Sequence, residues 1–101
     1  MVIEFLHFTV APEQRRAFIA RDAEVWTAGL AEQPGYLGKE VWVDKSDPTQ
    51  LRLAIRWESR DHWQAVPLAL QQELDRRMGD LLRPVEGCDA FEVAGPATAE
   101  Q

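Results

Sequence analysis

Nine consecutive residues, IRWESRDHW at 55–63, hold two tryptophans, one histidine and four charged side chains. Such a density could exchange protons with a substrate and hold an aromatic ring against indole faces. The spacing argues for a junction instead. A strand alternates into Trp57, Ser59 suits a helix N-cap, and His62 falls beside that helix start as an exposed polar residue. The stronger candidates for chemistry lie apart in the chain. His7 stands in the first alternating segment, and Asp22 falls between Phe18, Val25, Trp26 and Gly29 on the apolar arc of the first helix. A carboxylate there needs a partner, because burying it bare costs several kcal/mol. Two roles fit. Asp22 accepts hydrogen bonds from His7 or an indole N–H and fixes the helix on the sheet; or it orients His7 as a base toward a phenol or enol, in a pocket walled by Trp26, Trp57 and Trp63.

The elements that position these residues follow from periodicity. Residues 2–10 alternate, with Ile3, Phe5, His7 and Thr9 on one face and Glu4, Leu6 and Phe8 on the other. Pro12 suits a first helical position, and residues 13–32 carry Phe18, Ile19, Val25, Trp26, Gly29 and Leu30 on one helical arc, ended by Pro34 and Gly35. YLGKEVWVD and LRLAIRW, joined by KSDPTQ, predict an antiparallel hairpin. A short helix from Ser59 to Val66 breaks at Pro67. A second helical run then places Leu70, Leu74, Met78, Leu81 and Leu82 on one stripe, and a last strand covers about residues 89–94. The order β-α-β-β-α-β predicts an α+β, ferredoxin-like fold with a four-stranded antiparallel sheet, both helices on one face and strands one and three central. Residues 1–94 form one domain, and residues 95–101 are expected to fray.

Composition narrows the partners. The chain has 101 residues, 46% of them apolar and 28% charged, which suits one globular domain. A net charge of −6 argues against nucleic acid or an anionic membrane as partner. No apolar run approaches a membrane span and no signal peptide is apparent. Cys88 is the only cysteine, so a reducing cytoplasm is the expected compartment. No zinc spacing, glycine-rich phosphate loop or dinucleotide fingerprint occurs, so neither a metal nor a cofactor is expected.

Two helices cover one side of such a sheet. The other side is expected to carry Leu6, Phe8 and Trp42 among Glu4, Glu40, Arg52, Arg56 and Glu92, with the arginines pairing with glutamates. That mixture of aromatics and both charge signs predicts a homodimer interface at Leu6, Phe8, Trp42, Arg52 and Arg56.

Taken with the strand order, PGYLGKEVW entering the hairpin and the RWES turn into the second helix resemble the antibiotic-biosynthesis-monooxygenase family of dimeric α/β barrels. FLHF, DAEVWT, PGYLGKEVWV and IRWESRDHW have near counterparts in a small cyanobacterial branch of it. The likeness covers residues 2 to about 94 and marks the fold rather than a reaction. It implies a homodimer and a cofactor-independent monooxygenase acting on a small aromatic or quinol-like substrate. The alternatives are a ligand-binding or structural dimer without chemistry, and haem binding or degradation. Haem-degrading members use an Asn, a Trp and a His where this chain has Leu6 or His7, Val66 and Arg76. That triad is missing, which leaves His7 as the inward candidate for an axial ligand.

Overall fold

A computed structural model describes residues 1–96. Its strands are β1 (Val2–Thr9), β2 (Tyr36–Val43), β3 (Gln50–Trp57) and β4 (Gly87–Glu92). They form one antiparallel sheet in the order β2-β3-β1-β4, so β1 and β3 are central. After a 3-10 turn at Pro12–Gln14, the first helical segment runs as α1 (Arg15–Asp22), a π turn at Ala23–Thr27 and α2 (Ala28–Ala31). The second runs as α3 (Arg60–Gln64) and α4 (Leu68–Met78), separated at Pro67. This is the expected α+β, ferredoxin-like arrangement. The last strand begins two residues earlier than the alternation of Phe91 and Val93 predicts. Of the expected tail, residues 97–101 lie outside the described residues.

The π turn was not foreseen, and it matters for position. Residues 18, 22, 26 and 30 step by four, which on a helix of 100° per residue drifts by about 40° per step. A wider turn takes up part of that drift. Phe18, Asp22 and Leu30 are all buried, and Trp26 is half-buried against the same core.

The face of β1 is the main correction. Cross-strand pairing puts Val2, Glu4, Leu6 and Phe8 opposite Trp57, Ile55, Leu53 and Leu51, all of which face the helices. Phe8 is buried and Leu6 packs against both apolar clusters. Leu6 and Phe8 are therefore not on the open face, and neither is Glu4. Ile3, Phe5 and His7 are there instead, opposite Arg56, Ala54 and Arg52. Glu92 also changes sides, because it pairs with Val2 while Phe91 pairs with Ile3. Alternation fixes which residues share a face, but a one-residue phase error moves the whole set.

IRWESRDHW is the seam that its spacing predicts. Ser59 caps α3 by accepting from the His62 N–H at 3.2 Å, and Ser59 Oγ lies 2.7 Å from His62 Nδ1. His62 is thereby pinned rather than free, with its ring against Gly35, whose φ is +83°. A Cβ at residue 35 would stand 2.3 Å from His62 Cγ. Gly35→Ala is expected to cost about 2 kcal/mol, from the left-handed backbone and the displaced imidazole together; urea unfolding measures it.

Candidate functional site

The core is two packed clusters, one around Phe8, Phe18, Leu51 and Met78, the other around Leu30, Ile55, Trp57 and Val66. Between them lies a cavity of about 220 Å³. Its floor is the sheet (Glu4, Leu6, Leu53, Ile55, Trp57 and Lys39), and its other walls include Asp22 and Trp26 from the first helical segment, Trp63 after α3 begins, and Gln71 and Asp75 from α4. Leu82 and Val85, both exposed, mark its mouth. An engineered cavity of about 150 Å³ already holds benzene. A small aromatic ring fits the space.

Glu4 is a carboxyl on the cavity floor that sequence reasoning had placed on the other face of the sheet. Burial raises its carboxyl above the ordinary value of 4.5, against the opposing pull of the Trp57 and Trp63 indoles and the more distant Lys39 charge. Trp57, fully buried, donates its indole N–H to Glu4 Oε1 at 3.2 Å. A carboxyl held in this way is oriented by its indole partner and can still exchange its proton.

Asp22 is buried, as its helical phase predicts, and its partner is neither an imidazole nor an indole. Lys39 Nζ lies 2.6 Å from Asp22 Oδ2, with the two side chains 3% and 5% exposed. Alternation with Glu40 and Trp42 on the open face turns Lys39 inward, and its pairing with Ile55 puts it on the helix side, where it supplies the partner that sequence reasoning did not name. Asp75 on α4 is also pushed up by burial, with the Trp26 indole beside it working the other way.

Of the residues expected to act together, the tryptophans Trp26, Trp57 and Trp63 do border one cavity with Asp22. His7 does not. It projects from the opposite face of the sheet, its ring 5.3 Å from that of Phe5. Asp89 Oδ2 stands 3.2 Å from its Nε2 but outside hydrogen-bond geometry, so this buried nitrogen has no hydrogen-bond partner among the described residues. His7 thus cannot serve Asp22 as a base. With His62 pinned at the α3 cap, neither histidine lines the cavity, and haem would find no axial imidazole there.

The open face carries Phe5 in edge contact with Trp42 and Phe91, at centroid distances of 5.2 and 6.1 Å. Trp42 and Phe91 are 47% and 54% exposed. Glu40 accepts from the Trp42 indole at 3.1 Å and meets Arg56 at 3.3 Å, and these partners hold its carboxyl below the usual range. Arg52 meets no carboxylate within 4 Å among the described residues, so the expected pairing holds within the chain for one arginine of the two.

Residues 1–66 match the sequence pattern described as antibiotic biosynthesis monooxygenase, which spans β1 through α3 and so includes Glu4, Asp22, Lys39 and the four tryptophans. The chain belongs to the antibiotic biosynthesis monooxygenase family. No curated protein matches its sequence. Solved structures extend the likeness of fold beyond residue 66. A monooxygenase from the ActVA-Orf6 gene of Streptomyces coelicolor, in complex with nanaomycin D, superposes with a TM-score of 0.75 at 16% identity, over 96% of this chain and 90% of that one. SnoaB of Streptomyces nogalater, a cofactor-independent oxygenase, gives 0.66 at 18% identity over 94% of both chains. A structure from Deinococcus radiodurans gives 0.72 at 17% identity over 97% of both. At these identities the likeness is one of fold; the family that PGYLGKEVW and RWES resemble is borne out by the match over residues 1–66. Among the described residues no helix is long and apolar enough to cross a membrane.

Proposed function

We propose that this family member is a cofactor-independent monooxygenase acting on a small quinol-like substrate bound between Trp26, Trp57 and Trp63. The observation that carries the reading is Glu4: a carboxyl with a raised proton affinity, oriented by an indole, inside an apolar cavity of ring size. Glu4 takes the proton of the substrate hydroxyl, and the electron-rich anion then reacts with dioxygen. One oxygen atom forms a bond to a ring carbon as the O–O bond breaks, the quinol gives up two hydrogens in all, and the second oxygen leaves with them as water. A quinol plus dioxygen becomes a hydroxyquinone plus water. The substrate supplies every electron this requires, so no resident reductant is needed, and the tryptophan walls exclude bulk water from the anion.

Oxygen uptake with 1,4-naphthohydroquinone, above the rate without protein, tests the reaction, and mass spectrometry of the product identifies the inserted atom. Ring binding without uptake would return the protein to the alternative of a binding dimer without chemistry.

The active form is a homodimer in the cytoplasm, joined through the open face. The corrected interface is Ile3, Phe5, Trp42, Arg52, Arg56 and Phe91, because an aromatic cluster this exposed is an unusual surface for a monomer. Sedimentation at micromolar concentration is expected to give twice the chain mass, and Trp42→Glu to shift the equilibrium to monomer by at least about tenfold, since it puts a charge at the centre of the patch. A wild-type monomer would end this part of the reading.

A further inference from the structure

Glu4 and Lys39 face each other across one strand. Both pair with Ile55, Glu4 from β1 and Lys39 from β2, so the three form a row across the sheet on its helix side. All three line the same cavity. Two strand spacings set the outer backbones roughly 10 Å apart. A ring with oxygen at both ends, with a hydrogen bond of about 2.8 Å to each, covers a comparable span. Ile55 beneath is apolar and buried, and Trp57 continues the same face of β3.

The ammonium at the far end is unlike a surface lysine. Asp22 fixes it at 2.6 Å, and among the described residues no other carboxylate lies within 4 Å of Nζ. An ammonium has three donors. Asp22 accounts for one direction, and the cavity borders Lys39 on another.

We propose that Lys39, held by Asp22, is the specificity-determining group of the site: its ammonium hydrogen-bonds a second oxygen of the substrate, para to the hydroxyl that Glu4 receives. The cavity then selects rings oxygenated at both ends over rings oxygenated at one. This rests on the reading of the cavity as the substrate site, and it names the residue that makes that site choose quinols over simple phenols.

Hydroquinone and 4-methylphenol differ only by a hydroxyl in place of a methyl, and the methyl ring is the one a purely apolar cavity prefers. Under nitrogen, with tryptophan fluorescence as the readout, the wild-type protein is expected to bind hydroquinone about tenfold more tightly, the increment of a hydrogen bond to a charged donor. The isosteric pair Asp22→Leu with Lys39→Met, which leaves no charge stranded, is expected to abolish or reverse that preference while retaining 4-methylphenol binding. A second readout needs no variant. The chain has two lysines, Lys39 and Lys45, so protein labelled with 15N at the lysine side chains gives at most two ammonium signals. Hydroquinone is expected to shift the Lys39 signal and 4-methylphenol to leave it. Equal affinities in the wild type, tighter 4-methylphenol, binding of neither ring, a preference that survives the double substitution, or an unmoved Lys39 signal each overturn the assignment. Oxygen uptake is scored separately: a tenfold preference without uptake keeps Lys39 as the selector and removes the oxygenation.

Discussion

Glu4→Gln is expected to lower oxygen uptake by about 10²- to 10⁴-fold, the usual worth of a positioned base, while leaving ring binding in place. Gln keeps the shape and can still accept the Trp57 N–H; it cannot take a proton. In the wild type the acid limb of the rate profile should lie above pH 4.5, because burial raises the Glu4 carboxyl above that ordinary value and only its ionised form is a base. Stability runs the other way. A carboxyl whose proton is held more tightly in the folded chain contributes fully below 4.5, and that contribution is lost as pH rises through the folded value. Glu4→Gln, which never ionises, should therefore melt higher than the wild type at neutral pH, with the gap closing as pH falls. A Gln variant of full activity would assign the proton transfer elsewhere, with Asp75, on the α4 wall of the same cavity, the next carboxyl.

The second large effect is expected from breaking the buried ion pair on one side only. Lys39→Met leaves the Asp22 carboxylate buried without its cation and should cost about 3–5 kcal/mol, a fall in Tm of roughly 12 °C or more for a domain of this size. Adding Asp22→Leu should recover most of that loss, since replacing both members of a buried pair by apolar groups is often nearly neutral. A double variant no more stable than Lys39→Met alone would mean that Lys39 is needed for packing rather than for charge. The comparison is a double-mutant cycle, so thermal melts of the three variants and the wild type suffice.

The architecture was legible because its signals are local: period-two runs, Pro12, Ser59 and Pro67, and the Asp-Pro turn between β2 and β3. The burial of Asp22 was legible too, from helical phase alone. What failed was the face of β1. Val2, Leu6, Phe8 and Val10 make the even set more apolar than Ile3, Phe5, His7 and Thr9, but Glu4 within it and the aromatic Phe5 in the other made the two sets look interchangeable. Glu4 was itself the signal, a lone carboxylate on the more apolar face of a central strand. Phasing β1 wrongly put His7 with Asp22 and hid Glu4, so one error accounts for both. Lys39 was within reach, because placing Glu40 and Trp42 on the open face turns Lys39 toward the helices by alternation alone; what was missed is that a buried carboxylate at Asp22 calls for a cation on that face.

The wide turn at Ala23–Thr27 gives the first helical segment a particular relation to sequence length. A π turn accommodates one residue more than regular winding does, and its exposed side here is Ala23 and Glu24. Removing one of them lets the segment close into ordinary turns while its two halves keep their faces, because the lost residue is the one the wide turn absorbed. Asp22 and Trp26 then stand three apart, still neighbours on one side of the helix. The same deletion in a regular stretch rotates everything beyond it by about 100°, so this turn is where the chain length of the segment can change while the ion pair and the indole wall stay on one cavity.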